Sequence, residues 1–182
     1  LNTIGAIAVA AGPGSFTGLR IGSATAKGLG LALKKPLIPI PTVEGLAYNL
    51  YGTKALICPL MDARRNQVYT GIYEFCGNDF KKVEDQMAVS IEDIIKKLNE
   101  MGREVIFLGD GVAVYKTMIE QQCNVPYSFA PAHVNKQRAG ALASLAQQYF
   151  REGKIEDPAE HKPDYLRLSQ AERERMEKEK GQ

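Results

Sequence analysis

A glycine-rich segment at residues 12–18, GPGSFTG, is the strongest candidate for a chemical site in this sequence. It follows a short apolar run of strand length, Ile4–Ala11, and precedes a stretch from Thr17 to Lys34 that we expect to be helical, with Ser15 or Thr17 as its N-cap. The first turn of a helix offers free N–H groups and a partial positive charge, which together bind phosphate. The candidate phosphate-loop residues are Gly12, Gly14, Gly109 and Gly111.

The spacing of these glycines differs from that of the well-known phosphate loops. A Walker A loop continues with Gly-Lys-Ser/Thr, whereas Gly18 is followed by Leu19 and Arg20. A dinucleotide-binding turn has the spacing GxGxxG, whereas residues 12–18 have GxGxxxG. Phosphate binding is therefore the weaker of two interpretations of this segment.

The stronger interpretation is close packing, because small residues recur along the expected helix. One stripe with a four-residue period contains Gly18, Gly22, Ala26 and Gly30, and a second contains Ala24, Gly28 and Ala32. Each interior glycine costs about 0.8–1 kcal/mol relative to alanine, so such a helix persists only where close neighbours compensate. We expect neighbours on two sides, namely its own sheet and a second helix, which belongs to this chain or to another one. Packing within the chain alone is an equally good explanation.

Other reactive side chains do not form a recognisable catalytic set. His133 and His161 are too far apart for the HxxxH spacing of a helical metal pair, and each is better explained by packing or surface exposure. The cysteines form no CxxC pair, and no serine lies in a GxSxG motif. Asp62, followed by Arg64 and Arg65, could be a polar active-site cluster, but a hairpin turn with solvated charges explains it better. We predict no catalytic residue and no metal site.

The composition is that of an ordinary globular protein. The 182 residues are 45% hydrophobic and 24% charged, which allows one domain or two small lobes, and the net charge of +2 gives no general footprint for nucleic acid. Three separated cysteines, no apolar run of about 18 residues and no leader segment predict a reducing cytoplasm and no membrane association. Leu1 leads almost directly into a strand, so we expect a fragment or a processed chain.

Strand and helix patterns alternate loosely after the glycine-rich helix, which predicts an α/β protein with some antiparallel pairing. Prolines exclude a helix between residues 36 and 41, and residues 61–66 are expected to form a hairpin turn. The expected strands are Ala55–Asp62, Gln67–Phe75, Val83–Val89, Glu104–Leu108 and Tyr127–Ala130. The expected helices are a short one from Thr42, then Ser90–Met101, Val112–Gln122, Asn135–Glu152 and a solvated charged one at Gln170–Lys180.

The string GPGSFTGLRIG at residues 12–22 resembles the hallmark of the TsaB (YeaZ) family. Four further segments resemble family landmarks: PTVEGLA at 41–47, DARRNQVY at 62–69, GDG at 109–111 and PDYLR at 163–167. The resemblance covers nearly the whole chain. It implies the two-lobed fold of actin-like ATPases, sugar kinases and Hsp70, with the first lobe incomplete because family members carry further strands ahead of the glycine motif. We expect residues 1–45, joined by 161–182, to form the remainder of the first lobe, and 46–160 the second.

The resemblance also implies a function. TsaB-family proteins are non-catalytic subunits that bind and stabilise a TsaD-type catalytic paralogue, which works with a TsaE-type ATPase to transfer a threonylcarbamoyl group to the adenosine beside the tRNA anticodon. The family's contact with TsaD uses helices of the first lobe. The expected partner-binding residues are therefore Ser15, Phe16, Thr17, Gly18, Leu19, Arg20, Ile21, Gly22 and Ala26.

The same resemblance leaves some points open. It implies no cofactor bound by this chain itself, ATP at the level of the complex, and tRNA reached through the complex. Self-association is a further expectation, since a helix surface built for a paralogue can pair with its own copy. The alternative function is an actin-like-fold ATPase that uses residues 12–18 and 109–111 as phosphate loops.

Overall fold

The computed structural model describes residues 3–166, and the first of its two sheets is small. Strand β1 (Ile7–Gly12) pairs in parallel with β2 (Leu37–Pro41), with Ile7 opposite Leu37. Parallel neighbours cannot be joined by a tight turn, and helix α1 (Phe16–Leu33) makes the crossover between them. Ser15 is the N-cap of α1, because its Oγ accepts a hydrogen bond from the Gly18 N–H at 3.3 Å.

The second sheet has six strands and is mixed. They are β3 (Leu56–Pro59), β4 (Met61–Asp62), β5 (Gln67–Cys76), β6 (Asp79–Ser90), β7 (Val105–Leu108) and β8 (Tyr127–Phe129). The order is β4-β5-β3-β7-β8, with β6 also paired to β5. Strands β3, β7 and β8 run parallel, and the β5 pairings are antiparallel. The predicted α/β class with some antiparallel pairing is confirmed.

Helices cover both faces of each sheet. Helices α3 (Ile91–Met101) and α4 (Gly111–Gln122) pack on one face of the second sheet. Its other face contacts α2 (Thr42–Ala47), a 3-10 turn (Tyr48–Leu50) and α5 (Ala139–Arg151). One buried cluster joins these elements to β2 as well, so α2 and α5 form a layer between the two sheets. Helix α1 packs on the outer side of the first sheet.

Several element boundaries differ from the predictions, and two of them do so for tertiary reasons. Helix α5 begins at Ala139, not Asn135, because both the backbone oxygen and the side-chain oxygen of Asn135 accept hydrogen bonds from the Gly109 N–H. Strand β6 begins at Asp79 rather than Val83. The first residues of β6 are mostly charged and exposed, so the sequence pattern there does not indicate a strand. They nevertheless pair with residues Tyr73 to Cys76 of β5.

The predicted hairpin turn at residues 61–66 is shorter in the structure. Met61 and Asp62 form β4 opposite Tyr69 and Val68. The turn itself is made by residues 64–66, which all have positive φ angles. The predicted N-cap Ser90 is confirmed, since its Oγ accepts from the Asp93 N–H at 3.1 Å. The charged segment predicted as a helix at 170–180 lies outside the described residues.

Candidate partner-binding surface

Helix α1 has a solvent-facing side made of small and aliphatic residues. We call it the outward stripe, and its members are Ile21, Ala24, Gly28, Leu31 and Ala32. Their spacing of three or four residues places them on one helical face. Ile21 is 63% exposed and Leu31 is 57% exposed. A Cβ atom added at Gly28 would have no described atom within 4 Å, so no part of residues 3–166 packs against this glycine.

The other stripe of small residues, which contains Gly18, Gly22, Ala26 and Gly30, becomes buried toward the end of the helix. Gly18 is exposed, whereas Ala26 and Gly30 are buried. A Cβ atom at Gly30 would lie 2.7 Å from Cγ of Pro158 and 3.0 Å from the backbone oxygen of Lys35. Close packing within the chain therefore accounts for Gly30 but gives no account of Gly28.

The segment at residues 156–165 supplies that inner neighbour, and we call it the C-terminal strap. Glu156 and Leu37 exchange two backbone hydrogen bonds of 2.9 and 3.0 Å, and the Asp164 N–H donates to the backbone oxygen of Ala11 at 2.7 Å. The strap passes so close to Gly12 that a Cβ atom there would overlap the backbone of Asp164. Gly12 also has a φ of 130°, which favours glycine.

A buried histidine fixes the strap to α1. His161 is 2% exposed, and its Nδ1 lies 2.8 Å from Oε2 of Glu156 while its Nε2 lies 3.1 Å from Oγ of Ser23. A carboxylate only accepts, so Nδ1 donates to Glu156, and in the neutral ring Nε2 accepts from the Ser23 hydroxyl. Nζ of Lys27 donates to the backbone oxygens of Ala159 and His161 at 2.9 and 3.1 Å. His161 is thus a packing residue, one of the two roles that the sequence suggested.

An exposed aromatic and arginine cluster lies where α1 begins. The rings of Phe16 and Tyr165 are 5.2 Å apart between centroids, and Cζ of Arg20 lies 4.0 Å from the Phe16 centroid. Nε of Arg20 donates to the Tyr165 hydroxyl at 3.3 Å. Phe16 and Tyr165 are 40% and 41% exposed. Tyrosine and arginine are enriched among interface residues that dominate binding energy, and here they are held in place before any partner binds.

The expected partner-binding residues divide into two groups. Exposed or half-buried are Ser15, Phe16, Thr17, Gly18, Arg20, Ile21 and Gly22. The side chains of Leu19 and Ala26 are buried, at 8% and 5% exposure, so the structure does not place them on the surface. Sequence reasoning noted the period of Ala24, Gly28 and Ala32 without assigning these residues to the site. It missed Tyr165, because no local signal links that residue to α1.

Two of the four candidate phosphate-loop amides, those of Gly109 and Gly111, are engaged in the fold. The Gly109 N–H donates to Oδ1 of Asn135 at 2.8 Å, and the Gly111 N–H donates to the backbone oxygen of Leu60 at 2.9 Å. Gly109 has a φ of 110°, and a Cβ atom there would overlap the Leu60 oxygen. Gly109 and Gly111 therefore form a tight turn between β7 and α4. Gly12 lies under the strap and Gly14 is exposed.

The Asp62 carboxylate stabilises a turn. Its Oδ1 accepts from the Arg64 N–H at 2.8 Å and from the Tyr115 hydroxyl at 3.3 Å. Burial, and then the nearby charge of Asp62, raise the pKa of Tyr115. Among residues 3–166, no three His, Cys, Asp or Glu side chains are grouped to hold a metal ion. In the same part of the chain, no helix has the length and apolar character needed to cross a membrane.

A second buried ionisable group lies in the helical layer between the sheets. Glu44 is 2% exposed, accepts a short hydrogen bond from the Tyr149 hydroxyl, and lies 3.7 Å from Nζ of Lys82. Burial raises the pKa of Glu44, and the bond from Tyr149 and the charge of Lys82 only partly offset this. The group connects α2, α5 and β6 and lies away from the outward stripe.

Comparison with known proteins places this architecture in a family. The family model described as TsaD, tRNA N6-adenosine threonylcarbamoyltransferase, matches residues 1–175. The tRNA threonylcarbamoyladenosine biosynthesis protein TsaB of Bacillus subtilis is 37% identical over 174 residues, which span 96% of this chain and 74% of that protein. The chain belongs to the TsaB (YeaZ) family. TsaB of Escherichia coli is 29% identical over 170 residues, covering 92% of this chain and 72% of that protein.

A solved structure agrees with the TsaB assignment at the level of the fold. It is a Pseudomonas aeruginosa protein described as similar to peptidase YeaZ, and it aligns with a TM-score of 0.76 at 24% identity. The alignment covers 91% of this chain and 75% of that one. The predicted family and fold class are confirmed.

Proposed function

We propose that this chain acts in tRNA threonylcarbamoyladenosine biosynthesis as a non-catalytic subunit that binds and stabilises a TsaD-type catalytic paralogue through α1. The names of its TsaB relatives supply the pathway. The observation that carries the partner role is the outward stripe, in which Gly28 has no described neighbour beside the exposed Ile21 and Leu31.

The outward stripe lowers the stability of the chain while it is uncovered. A glycine inside a helix loses about 0.8–1 kcal/mol relative to alanine, and no contact within residues 3–166 offsets this at Gly28. Contiguous exposed aliphatic side chains are typical of surfaces that bind another protein. A second helix laid over Gly28 would approach closely and would bury Ile21 and Leu31. The cluster of Phe16, Arg20 and Tyr165 extends this surface at the start of α1.

The non-catalytic part of the proposal is supported by the bonds of the reactive side chains. His161 is held between Ser23 and Glu156, and Asp62 is held by the Arg64 amide. These groups stabilise a strap and a turn, so they are not poised toward a substrate.

The wider assembly belongs to the same proposal. It includes a TsaE-type ATPase, ATP used by the complex, tRNA reached through the complex, and a cytoplasmic location. It also treats residues 1–45 with 161–182 as the lobe that carries the partner surface, and residues 46–160 as the other lobe. The bonds from Asp164 to Ala11 and from His161 to Ser23 support the first grouping.

The proposal is tested by titrating the chain with the TsaD-type paralogue of its own organism, using size exclusion with light scattering. Ile21→Arg places a charge in the outward stripe and is expected to weaken the complex at least about tenfold, because a buried unpaired charge is costly. Val114→Arg is the matched control, since Val114 is 59% exposed on α4 and lies off the stripe. Equal weakening by both variants, or no complex with the unaltered chain, would contradict the proposal.

The alternative function, an actin-like-fold ATPase, has a separate test. The Gly109 and Gly111 amides are bonded within the fold, so a phosphate would have to displace those bonds. Saturable binding of ATP to the isolated chain at micromolar concentration would favour this alternative. Formation of a homodimer that Ile21→Arg disrupts would instead show that α1 pairs with its own copy.

A further inference from the structure

A groove of about 1090 Å³ runs along the exposed face of α5, away from the outward stripe. One wall is α5 itself, with Arg138 at its start and Arg151 at its end. The other wall is formed by Tyr48 and Tyr51 and by the β5–β6 turn at residues 78–79. At about 1.5 Å per residue, the two arginines are separated by roughly 20 Å along the helix axis.

The guanidinium groups of Arg138 and Arg151 make no hydrogen bond or ion pair within residues 3–166. Two acids also line the groove. Glu152 is already engaged, with Nζ of Lys154 at 2.6 Å and the Gln148 amide at 2.8 Å, which leaves Asp79 at the turn. The two arginines therefore outnumber the uncommitted acid. Their planar, multiply donating groups suit phosphate oxygens.

An aromatic ring lines the same groove. Tyr51 is 54% exposed, and its ring is fixed against Phe75 at 5.2 Å and Tyr48 at 5.7 Å between centroids. A ring that is held by tilted and edge contacts and is about half exposed is a platform on which an unpaired base can stack.

Amide side chains complete the groove lining. They are Asn49, Asn78, Gln147 and Gln148. Asn78 and Gln147 each offer both a donor and an acceptor, which is what the edges of bases require. The Asn49 amide already donates to the backbone oxygens of Val134 and Lys136, and the Gln148 amide donates to Glu152. The groove is too long for one nucleotide to reach both arginines, so its length favours an extended strand. Its modest local charge is compatible with the low net charge of the whole chain.

We propose that the α5 groove binds a single-stranded segment of RNA several nucleotides long, with phosphates on Arg138 and Arg151 and a base stacked on Tyr51. This contact goes beyond the proposed function, which brings tRNA to the complex without giving this chain any part in holding it. It uses a different face from the α1 surface, so either proposal can fail while the other stands.

The test is fluorescence anisotropy of a labelled single-stranded RNA of about ten nucleotides, measured with the whole chain over a range of salt concentrations. The double variant Arg138→Gln/Arg151→Gln is expected to weaken binding at least about tenfold. It should also reduce the slope of log affinity against log salt by about 1.4, since each phosphate contact on a single strand contributes about 0.7. Tyr51→Ala is expected to weaken binding at least about fivefold with the slope unchanged.

The matched control is Lys96→Gln/Lys116→Gln, which removes the same charge from α3 and α4, on the opposite face of the second sheet. It should retain the affinity of the unaltered chain within about twofold. All five side chains lie on exposed positions, and circular dichroism verifies that each variant is folded.

Three results with the RNA itself would overturn the proposal, and two competition results would replace the ligand. One is the absence of RNA binding by the unaltered chain, and another is an equal loss of binding in the lysine control. The third is an unchanged RNA affinity in Tyr51→Ala, which would mean that the groove attracts RNA only through unspecific attraction between charges. AMP at equal concentration should not displace the RNA, and full displacement would identify a mononucleotide site instead of a strand site. Capture of an acidic peptide that depends on the arginines but not on Tyr51 would likewise replace RNA by protein as the ligand.

Discussion

His161 and Ser23 are 138 residues apart in sequence, yet Nε2 of the one lies 3.1 Å from Oγ of the other in the buried space between α1 and the C-terminal strap. Both residues are almost fully buried, at 2% and 4% exposure. Together with the bond from Nδ1 to Glu156, this contact holds the strap on the inner side of α1. The proposed partner-binding surface therefore depends on residues from both α1 and the strap.

Replacement of that histidine should destabilise the fold. His161→Ala leaves the buried Ser23 hydroxyl without its partner and opens a cavity, so we expect the free energy of unfolding to fall by about 2 kcal/mol. Urea denaturation measures it. His133→Ala is the control, because His133 is exposed and a change within about 0.5 kcal/mol is expected. A similar loss in both variants would mean that the Ser23 contact contributes nothing particular.

Two glycines of the same helix should respond to alanine with opposite signs. Gly28→Ala adds a methyl group with no described atom within 4 Å and should stabilise the isolated chain by about 0.8 kcal/mol. Gly30→Ala brings Cβ to 2.7 Å from Cγ of Pro158, and should destabilise it by at least about 1 kcal/mol. Thermal and urea unfolding of the two variants measure both changes in stability. Stabilisation by both substitutions would show that the strap does not pack against Gly30 in solution.

Tyr165 should contribute to partner affinity more than to stability. Its ring packs on Phe16, and its hydroxyl accepts from Arg20, at an exposed edge of α1. Tyr165→Ala is expected to weaken binding of the TsaD-type paralogue about tenfold, and Tyr165→Phe less, since the ring remains. Calorimetric titration measures both. Tyr51→Ala is the control, because it removes an exposed tyrosine at the α5 groove and should leave this affinity unchanged. An equal loss of affinity in Tyr51→Ala would contradict a specific role of Tyr165 in partner binding.

Glu44 should make stability depend on pH. Its pKa is raised in the folded state, mainly by burial, so the folded protein binds this proton more tightly than the unfolded chain does. The free energy of unfolding therefore falls as pH rises from the unfolded value of 4.5 through the folded pKa. Glu44→Gln lacks this titration, so its stability relative to the unaltered chain should improve from about pH 4 to about pH 7.

Urea denaturation across that pH range provides the check for Glu44. Glu100→Gln serves as control, because Glu100 is exposed on α3 and the same comparison should show no trend with pH. A relative stability of Glu44→Gln that stays flat or moves the other way would contradict the expected direction.

Local sequence signals predicted the elements well where local interactions decide them. The caps at Ser15 and Ser90 follow from single side chains that bond the next turn. The starts of α5 and β6 were wrong because they depend on distant pairs, namely Asn135 with Gly109 and the charged residues of β6 with β5. A pattern within one segment carries no information about such pairs.

The exposed side of α1, the candidate surface, could be predicted from the sequence only in part for the same reason. The two stripes of small residues on α1 look alike in sequence, and only the position of Pro158 shows that Gly30 is covered while Gly28 is open. Leu19 belongs to the same motif as Ile21, and Ala26 lies one turn beyond the motif, yet both side chains are buried. The motif therefore identifies the helix, whereas the packing of the rest of the chain against that helix determines which of its sides is exposed to a partner.

The backbone bonds between the strap and the first sheet have a consequence for biosynthesis. Glu156 bonds to Leu37, and these residues emerge from a ribosome roughly ten seconds apart at about 5–20 residues per second. During that interval α1 has already been translated, but the strap residues that pack against Ser23 and Gly30 have not. The cluster of Phe16, Arg20 and Tyr165 is complete only after Tyr165 has been translated, so the proposed binding of a partner there follows that step.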